Sequence, residues 1–239
     1  YAISTDADIY LYNTTTGTTK NLCKPVGYVE PEIDACHSMK DQAVNSAENL
    51  KNNPGYDVNP KFSPDGQYVS WQSMARDGYE SDRNRLCVYD LASGKKTYVT
   101  EAFDSNVDDY CWNADSRSLY FMGCWHACIN IYKTNLQGQV KQVTDGWNDY
   151  ASLSLINNGK QLLTLRQSIS QANEIYIVSP GKEKNAKVQQ ISFENKHIYD
   201  QLTMGKVQER WVKTTDGKEM QCWIILPPHF DPTKKYPTL

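Results

Sequence analysis

The chain has no uninterrupted apolar run approaching the roughly 20 residues a membrane-spanning helix requires, so no such span is expected. It has no excess of positive charge either. Twenty-five Lys and Arg stand against 28 Asp and Glu, a net charge of −3, with no basic cluster to neutralise phosphates. Nucleic acid and anionic membrane surfaces are therefore not expected as partners. Cysteine is neither dense nor paired: the seven, at positions 23, 36, 87, 111, 124, 128 and 222, are odd in number and scattered. That pattern fits neither a disulfide framework nor paired zinc knuckles, and it leaves the redox compartment open. No initiator Met, charged leader or apolar signal core precedes Tyr1, and Tyr236-Pro237-Thr238-Leu239 breaks off in what reads as a further strand. The expectation is a piece of a longer protein, with any export signal upstream.

What is present is globular. Hydrophobic residues make up 39% of the 239 positions, and 16 Tyr and 6 Trp are too many for a disordered chain. The length permits one or two domains. One tight cluster of ligand-type residues occurs, Cys124-Trp125-His126-Ala127-Cys128. Two thiols and an imidazole could meet at a loop tip, but a fourth metal ligand is missing nearby, and buried thiols or a hairpin disulfide are simpler readings. No metal or cofactor is expected.

Internal repetition decides the fold class. Three turn signatures recur at intervals of about forty to fifty residues: Phe62-Ser63-Pro64-Asp65-Gly66, Trp112-Asn113-Ala114-Asp115-Ser116 and Leu155-Ile156-Asn157-Asn158-Gly159. Each leads into a strand-like run, then a loop, then a second strand motif that aligns on Val88, Ile131 and Ile177. A Gly-containing turn and a short final strand close each unit, ending Tyr98-Val99-Thr100, Gln142-Val143-Thr144 and Gln190-Ile191-Ser192. Four short strands per unit at this period are what a β-propeller blade needs. Residues 1 to 22 match only the second half of a unit. The prediction is an all-β chain: a partial β-propeller of three full blades and a half-blade.

Two segments fall outside the repeat. Lys24 to Tyr56 reads as an insertion (24–56) holding one short amphipathic helix over Met39 to Lys51, with Ser38 at its start and Asn52-Asn53-Pro54-Gly55 as its stop. After Ser192, two alternating runs, Gln208 to Lys213 and Met220 to Leu226, flank Thr215-Asp216-Gly217-Lys218 as a hairpin. The expected organisation is a propeller part over 1–204 and the start of a second domain over 205–239.

These residues carry a family resemblance. The Phe-Ser-Pro-Asp-Gly repeats, then Trp211 to Gly217, then Leu226-Pro227-Pro228-His229-Phe230-Asp231-Pro232-Thr233-Lys234-Lys235-Tyr236-Pro237-Thr238-Leu239, resemble the prolyl oligopeptidase family of serine peptidases, in its dipeptidyl aminopeptidase and acylaminoacyl-peptidase branch. The resemblance implies a propeller that precedes an α/β-hydrolase domain bearing a Ser, Asp, His triad, a periplasmic or secreted location, and peptide substrates. No Gly-x-Ser-x-Gly starts from any of the 13 glycines, so no catalytic residue can be assigned in this chain, which is expected to be inactive alone. His37, His126, His197 and His229 have no Ser and Asp arranged beside them and read as structural or solvated.

An exopeptidase cutting near a free amine needs fixed carboxylates, because a sequestered ammonium demands charge-assisted acceptors. Glu30 and Glu32, at the front of the insertion, are the candidate substrate-binding pair; a solvated acidic loop is the plainer reading. Arg76, Asp77, Glu80, Asp82 and Arg83 follow in the loop after Trp71, with Arg76 as a third candidate and a surface ion-pair network as its alternative. Incomplete closure of the ring predicts exposed blade edges and self-association. The rival functional reading is a non-catalytic TolB-like propeller serving as a protein-interaction platform.

Overall fold

The computed structural model describes residues 5–24, 55–76, 78–182 and 184–238, and within them the chain is nearly all β. The first pair of strands, β1 (Tyr10–Asn13) and β2 (Thr18–Asn21), forms an antiparallel hairpin. Three four-stranded antiparallel sheets follow, each built from consecutive strands in sequence order. Blade 1 holds β3 (Asp57–Phe62), β4 (Tyr68–Ser73), β5 (Arg85–Asp90) and β6 (Lys96–Tyr98). Blade 2 holds β7 (Asp109–Trp112), β8 (Ser118–Trp125), β9 (Cys128–Asn135) and β10 (Val140–Gln142). Blade 3 holds β11 (Asp149–Ile156), β12 (Gln161–Ser168), β13 (Gln171–Ser179) and β14 (Lys187–Gln190). A one-turn helix α1 (Lys196–Tyr199) then leads to the hairpin β15 (Lys206–Lys213) and β16 (Glu219–Leu226).

The recurring turns fold as their side chains dictate. Asp65 accepts the Gln67 N–H at 3.0 Å, and Asp115 accepts those of Arg117 and Ser118 at 2.8 and 3.0 Å. Such Asx turns reverse the chain without drawing on the ladder. The residue that follows each Asp is left-handed, Gly66 at φ 70° and Ser116 at φ 53°. Glycine meets that conformation freely, and Ser116 is held in it as its hydroxyl accepts the Asp65 N–H of the neighbouring turn at 3.0 Å. In blade 3, Gly159 (φ 85°) lies so close to Ala114 of blade 2 that an added Cβ would fall 2.5 Å from that methyl.

The closing triplets have a specific role. The N–H of Leu86, Ile131 and Ile175 donates to the hydroxyl of Thr100, Thr144 and Ser192 at 2.8, 2.9 and 2.8 Å. Their carbonyls accept the N–H of Val99, Val143 and Ile191 at 2.9, 2.8 and 2.9 Å. The outer strand therefore ends on a side-chain hydroxyl that replaces the next rung of the ladder. This corrects the sequence alignment of the repeats. Leu86, Ile131 and Ile175 are the equivalent residues; aligning Ile131 with Val88 and Ile177 places blade 2 out of step by two, an error that preserves facing because side chains alternate with period two.

The core lies between sheets. Leu86, Val88, Phe103, Tyr110, Leu119, Phe121 and Tyr132 fill the space between blades 1 and 2, while Tyr120, Met122, Ile131, Tyr150, Leu162 and Val178 fill that between blades 2 and 3. Ile9, Leu22, Val69, Trp71 and Tyr89 join the first hairpin to blade 1. Alternate residues of β8 thus enter different cores, which is the face-to-face stacking of propeller blades. The described sheets do not close a ring. Among the described residues no helix is long and apolar enough to cross a membrane, α1 was not anticipated from the sequence, and the predicted helix over Met39 to Lys51 lies outside them.

Candidate functional site

Antiparallel register sorts the loops into two ends. Asp57 pairs with Ser73, so the start of β3, the end of β4 and the loop from Met74 to Asn84 share one end. In blade 2 the same end carries the His126-Ala127 turn between β8 and β9. The repeated Asp-containing turns occupy the opposite end.

The two roots of the insertion meet at the loop end. The chain is described up to Lys24 and again from Gly55, and the segment before β1 links the two: Ala7 and Tyr56 form a parallel bridge, and the Asp57 N–H donates to Ala7 O at 2.9 Å. Gly55 is obligatory there, because a Cβ would stand 1.9 Å from Met74 O. The Met74 N–H donates to Tyr56 O at 3.0 Å, and the Gly78 N–H to Thr5 Oγ1 at 2.8 Å. The loop bearing Arg76 and the insertion roots therefore form one connected patch.

Glu30, Glu32 and Asp77 lie outside the described residues. Arg76 is held by its own loop. Nε donates to Asp82 Oδ2 at 2.9 Å, Nη2 forms a second and shorter bond to Oδ1, and the guanidinium lies 4.0 Å from the centre of the Tyr79 ring. The Asp82 bond holds Arg76 above, and Asp82 below, its ordinary titration range. Arg83 points elsewhere, donating to Phe103 O at 2.8 Å and Glu101 Oε1 at 2.9 Å. Arg76 thus makes the ion pair set against it as the alternative reading.

Beneath the roots is a polar cluster that sequence reading did not single out. Asp57 is buried and accepts the Trp71 indole N–H at 2.8 Å. Donor atoms of Asp8, Cys23 and Asp57 lie within 4.8 Å of one another. The positive charge in the cluster is supplied by the chain itself. The Lys24 ammonium stands 2.9 Å from Asp6 and 3.2 Å from Asp8, and Lys96 Nζ donates to Cys23 O at 3.0 Å. Burial pushes the Asp57 carboxyl up to about 6, against the opposing effect of its bonds from Ser73, Cys23 and Trp71 and of the Lys96 charge. Burial likewise pushes the Cys23 thiol well above its usual range, with Asp57 adding to it. Burial pulls Lys24 down, yet Asp6 and Asp8 outweigh it and hold the ammonium above its ordinary value. The signal available in the sequence was Asp6-x-Asp8 and Cys23-Lys24 bordering the insertion, but only the fold brings Asp57 to them.

At the blade 2 tip, His126 and Ala127 both take left-handed backbone, φ 52° and 54°. Hairpin register favours this in a two-residue turn, but neither residue is glycine, so the turn holds strain of order 1 kcal/mol or more. Contacts from the second hairpin brace it. Gln221 Nε2 donates to His126 O at 2.9 Å, and the Trp211 ring meets the imidazole edge to face at 5.2 Å. Trp223 meets Trp147 in the same way at 5.0 Å. The hairpin β15–β16 therefore packs on the end of the blades that bears the insertion roots. Cys124 pairs with Ile129 and Cys128 with Trp125, so the two thiols project from opposite faces of the sheet. They form neither the metal cluster nor the disulfide weighed from their spacing, and all six described cysteines are free thiols.

A stack of four-stranded blades followed by a hairpin on their loop end defines the class of structure. No family model matches the chain. Two relatives, each a dipeptidyl-peptidase 5, match all of it: that of Porphyromonas gingivalis is 41% identical and that of Porphyromonas endodontalis 36% identical over 240 aligned positions. The chain spans 30% of the length of each. Among solved structures, Pyrococcus horikoshii acylaminoacyl peptidase superposes with a TM-score of 0.62 at 18% identity, covering 92% of this chain and 28% of that one. Porphyromonas gingivalis dipeptidyl peptidase 4 gives 0.59 at 13% identity, covering 98% and 29%. The structural likeness concerns the fold, and the sequence matches carry the kinship. Together the relatives and the fold support a prolyl oligopeptidase-family peptidase, with this chain as a propeller-type fragment.

Proposed function

We propose that this chain is the propeller part, over 1–204, and the first catalytic-domain hairpin, over 205–239, of a serine exopeptidase that releases dipeptides from the amino terminus of peptides. Kinship with two dipeptidyl-peptidase 5 sequences over the whole chain supports the activity. The observation that carries the role of this part is that the insertion roots, the Arg76 loop and the hairpin β15–β16 share one end of the blades. An α/β-hydrolase domain continuing from β16 would sit over that end, and the propeller would limit access to it. Glu30 and Glu32 would then face the space between the two and accept the substrate's ammonium. The location that goes with this reading is periplasmic or secreted.

The experiment is Glu30→Gln and Glu32→Gln in the full-length protein, assayed on a free-amine dipeptidyl substrate and on its N-acetylated counterpart. Loss of one charge-assisted bond should cost about 1.5–3 kcal/mol, or roughly tenfold to a hundredfold in kcat/KM, on the free-amine substrate only. Equal efficiencies for wild type and both variants would remove the anchor from the scheme. The present chain alone, without a nucleophile elbow, is expected to show no turnover in the same assay, and its open blade faces are expected to promote self-association.

A further inference from the structure

In each blade the residue just before the closing position of the third strand grips the connection that leaves the blade. With Leu86, Ile131 and Ile175 equivalent, those residues are Arg85, Asn130 and Glu174. Arg85 pairs with Glu101 at 3.1 Å. Asn130 Oδ1 accepts the Thr144 hydroxyl at 3.0 Å, and its Nδ2 donates to Gly146 O at 3.3 Å. These two connections run on to β7 and β11, the first strands of the next blades. The connection gripped by Glu174 runs instead to α1 and the hairpin β15–β16.

Glu174 makes its grip with a carboxylate that is only 3% exposed, on the side of β13 that also buries Tyr176 and Val178. Its bonds all come from the departing segment. Oε2 accepts the Ser192 hydroxyl and, at 3.3 Å, the Glu194 N–H; Oε1 accepts the Asn195 N–H at 2.9 Å and the Asn195 side-chain amide at 3.2 Å. These neutral donors, Ser192 foremost, hold the carboxyl below its ordinary range. A few residues on, α1 folds back so that Tyr199 Oη accepts the Ala172 N–H at 2.6 Å. The departing segment is thus tied at both ends of α1 to one strand, β13.

Closing the blade does not require this arrangement. The Ser192 hydroxyl already accepts the Ile175 N–H and ends β14, as Thr144 does for β10. A carboxylate buried among neutral donors is stable only while those donors stay in place, so any displacement of residues 192–195 strips partners from a buried charge. The hairpin beyond α1 rests on the blades through Gln221 and Trp211 on His126, and through Trp223 on Trp147. Contacts this few stay seated when the chain entering them is fixed. We propose that Glu174 is a positioning residue: it fixes the point at which the chain leaves blade 3, and so holds the hairpin β15–β16, with the domain that follows it, in register with the insertion roots. The consequence for substrate rests on the exopeptidase reading above; the anchoring of the hairpin does not.

The test uses the full-length protein and hydroxyl-radical footprinting read by mass spectrometry. In Glu174→Ala the rings of Trp211 and Trp223 are expected to oxidise about twofold faster as the hairpin leaves its seat by local opening, while Trp71, fully buried in blade 1, keeps its rate. Faster oxidation confined to Phe193 and Tyr199 would reduce Glu174 to a cap of the connection and overturns the proposal, as does an unchanged footprint. Should Glu174→Ala fail to fold, Glu174→Gln serves instead. Its amide keeps the shape but gives up one acceptor oxygen, and a smaller increase at the same two rings is expected; unchanged rings overturn the proposal. In the kinetic arm, an anchor in the insertion and a nucleophile beyond β16 fall out of alignment when the hairpin shifts. The kcat/KM of Glu174→Ala on the free-amine dipeptidyl substrate is then expected to fall about tenfold, with the N-acetylated counterpart unaffected. Equal losses on the two substrates overturn the role in substrate alignment. If Glu30→Gln and Glu32→Gln prove silent, the exopeptidase anchor fails, while the footprint of Trp211 and Trp223 still decides the role of Glu174.

Discussion

Blades 2 and 3 have the same strand order and the same hydroxyl closure, yet their central strands read differently. In β8 the first six residues, Ser118 to Gly123, are all buried, whereas in β12 only Leu162 and Thr164 are. The cause is what lies beside each sheet. Blade 2 has a blade on both faces, so every residue of its second strand enters a core, and a continuous apolar run is stable there. Among the described residues blade 3 has blade 2 on one face only, and its strands alternate. Burial in this fold is a property of the neighbour, and the strand pattern records how many neighbours the sheet has.

The equivalent residues Ile131 and Ile175 offer the largest contrast. Ile131 is fully buried and Ile175 is 38% exposed, although each makes the same backbone closure. Ile131→Ala should cost about 2–5 kcal/mol and Ile175→Ala about 1 kcal/mol or less, read from denaturant midpoints. Equal losses would mean that blade 3 is covered on its second face in solution. The closing hydroxyls give a smaller contrast. Thr144→Val leaves the Ile131 N–H without its acceptor inside the blade 2 core and should cost about 1–3 kcal/mol. The half-buried counterpart Ser192→Ala, with water at hand, should cost about 1 kcal/mol or less. A reversed order would show that the hydroxyl closure is not what ends the outer strand. The smallest effect concerns the open face itself, where Ile175, Ile191 and Phe193 are exposed. Sedimentation of this chain should show concentration-dependent association that weakens in Phe193→Ser, and a monomer at all concentrations would mean the face is tolerated in water.

The candidate site was legible in part. The insertion, the loop after Trp71 and the second hairpin each stood out as departures from the repeat, and the fold places the described parts of all three at one end of the blades. Arg76 was visible as a charge in a loop, but its engagement by Asp82 depended on how that loop turns back over Tyr79. The Cys124 to Cys128 spacing raised a ligand cluster that ranked below buried thiols or a hairpin disulfide, and only the register decides the geometry, since a two-residue turn puts the thiols on opposite sides of the sheet.

The sequence by itself determined the blades, because turn chemistry, period-two alternation and the closing Thr or Ser act within a single unit of some forty residues, where local hydrogen bonds and patterning are sufficient. It also carried the family, through the order of repeat, hairpin and proline-flanked connection. Tertiary structure alone decided which faces are buried, which end of the sheets the second hairpin packs on, and that Asp57 joins Asp8, Cys23 and Lys24 across the insertion. Those outcomes depend on the stacking of one sheet on another, and stacking couples residues far apart in the chain through burial and charge, neither of which has a period that a single strand can display.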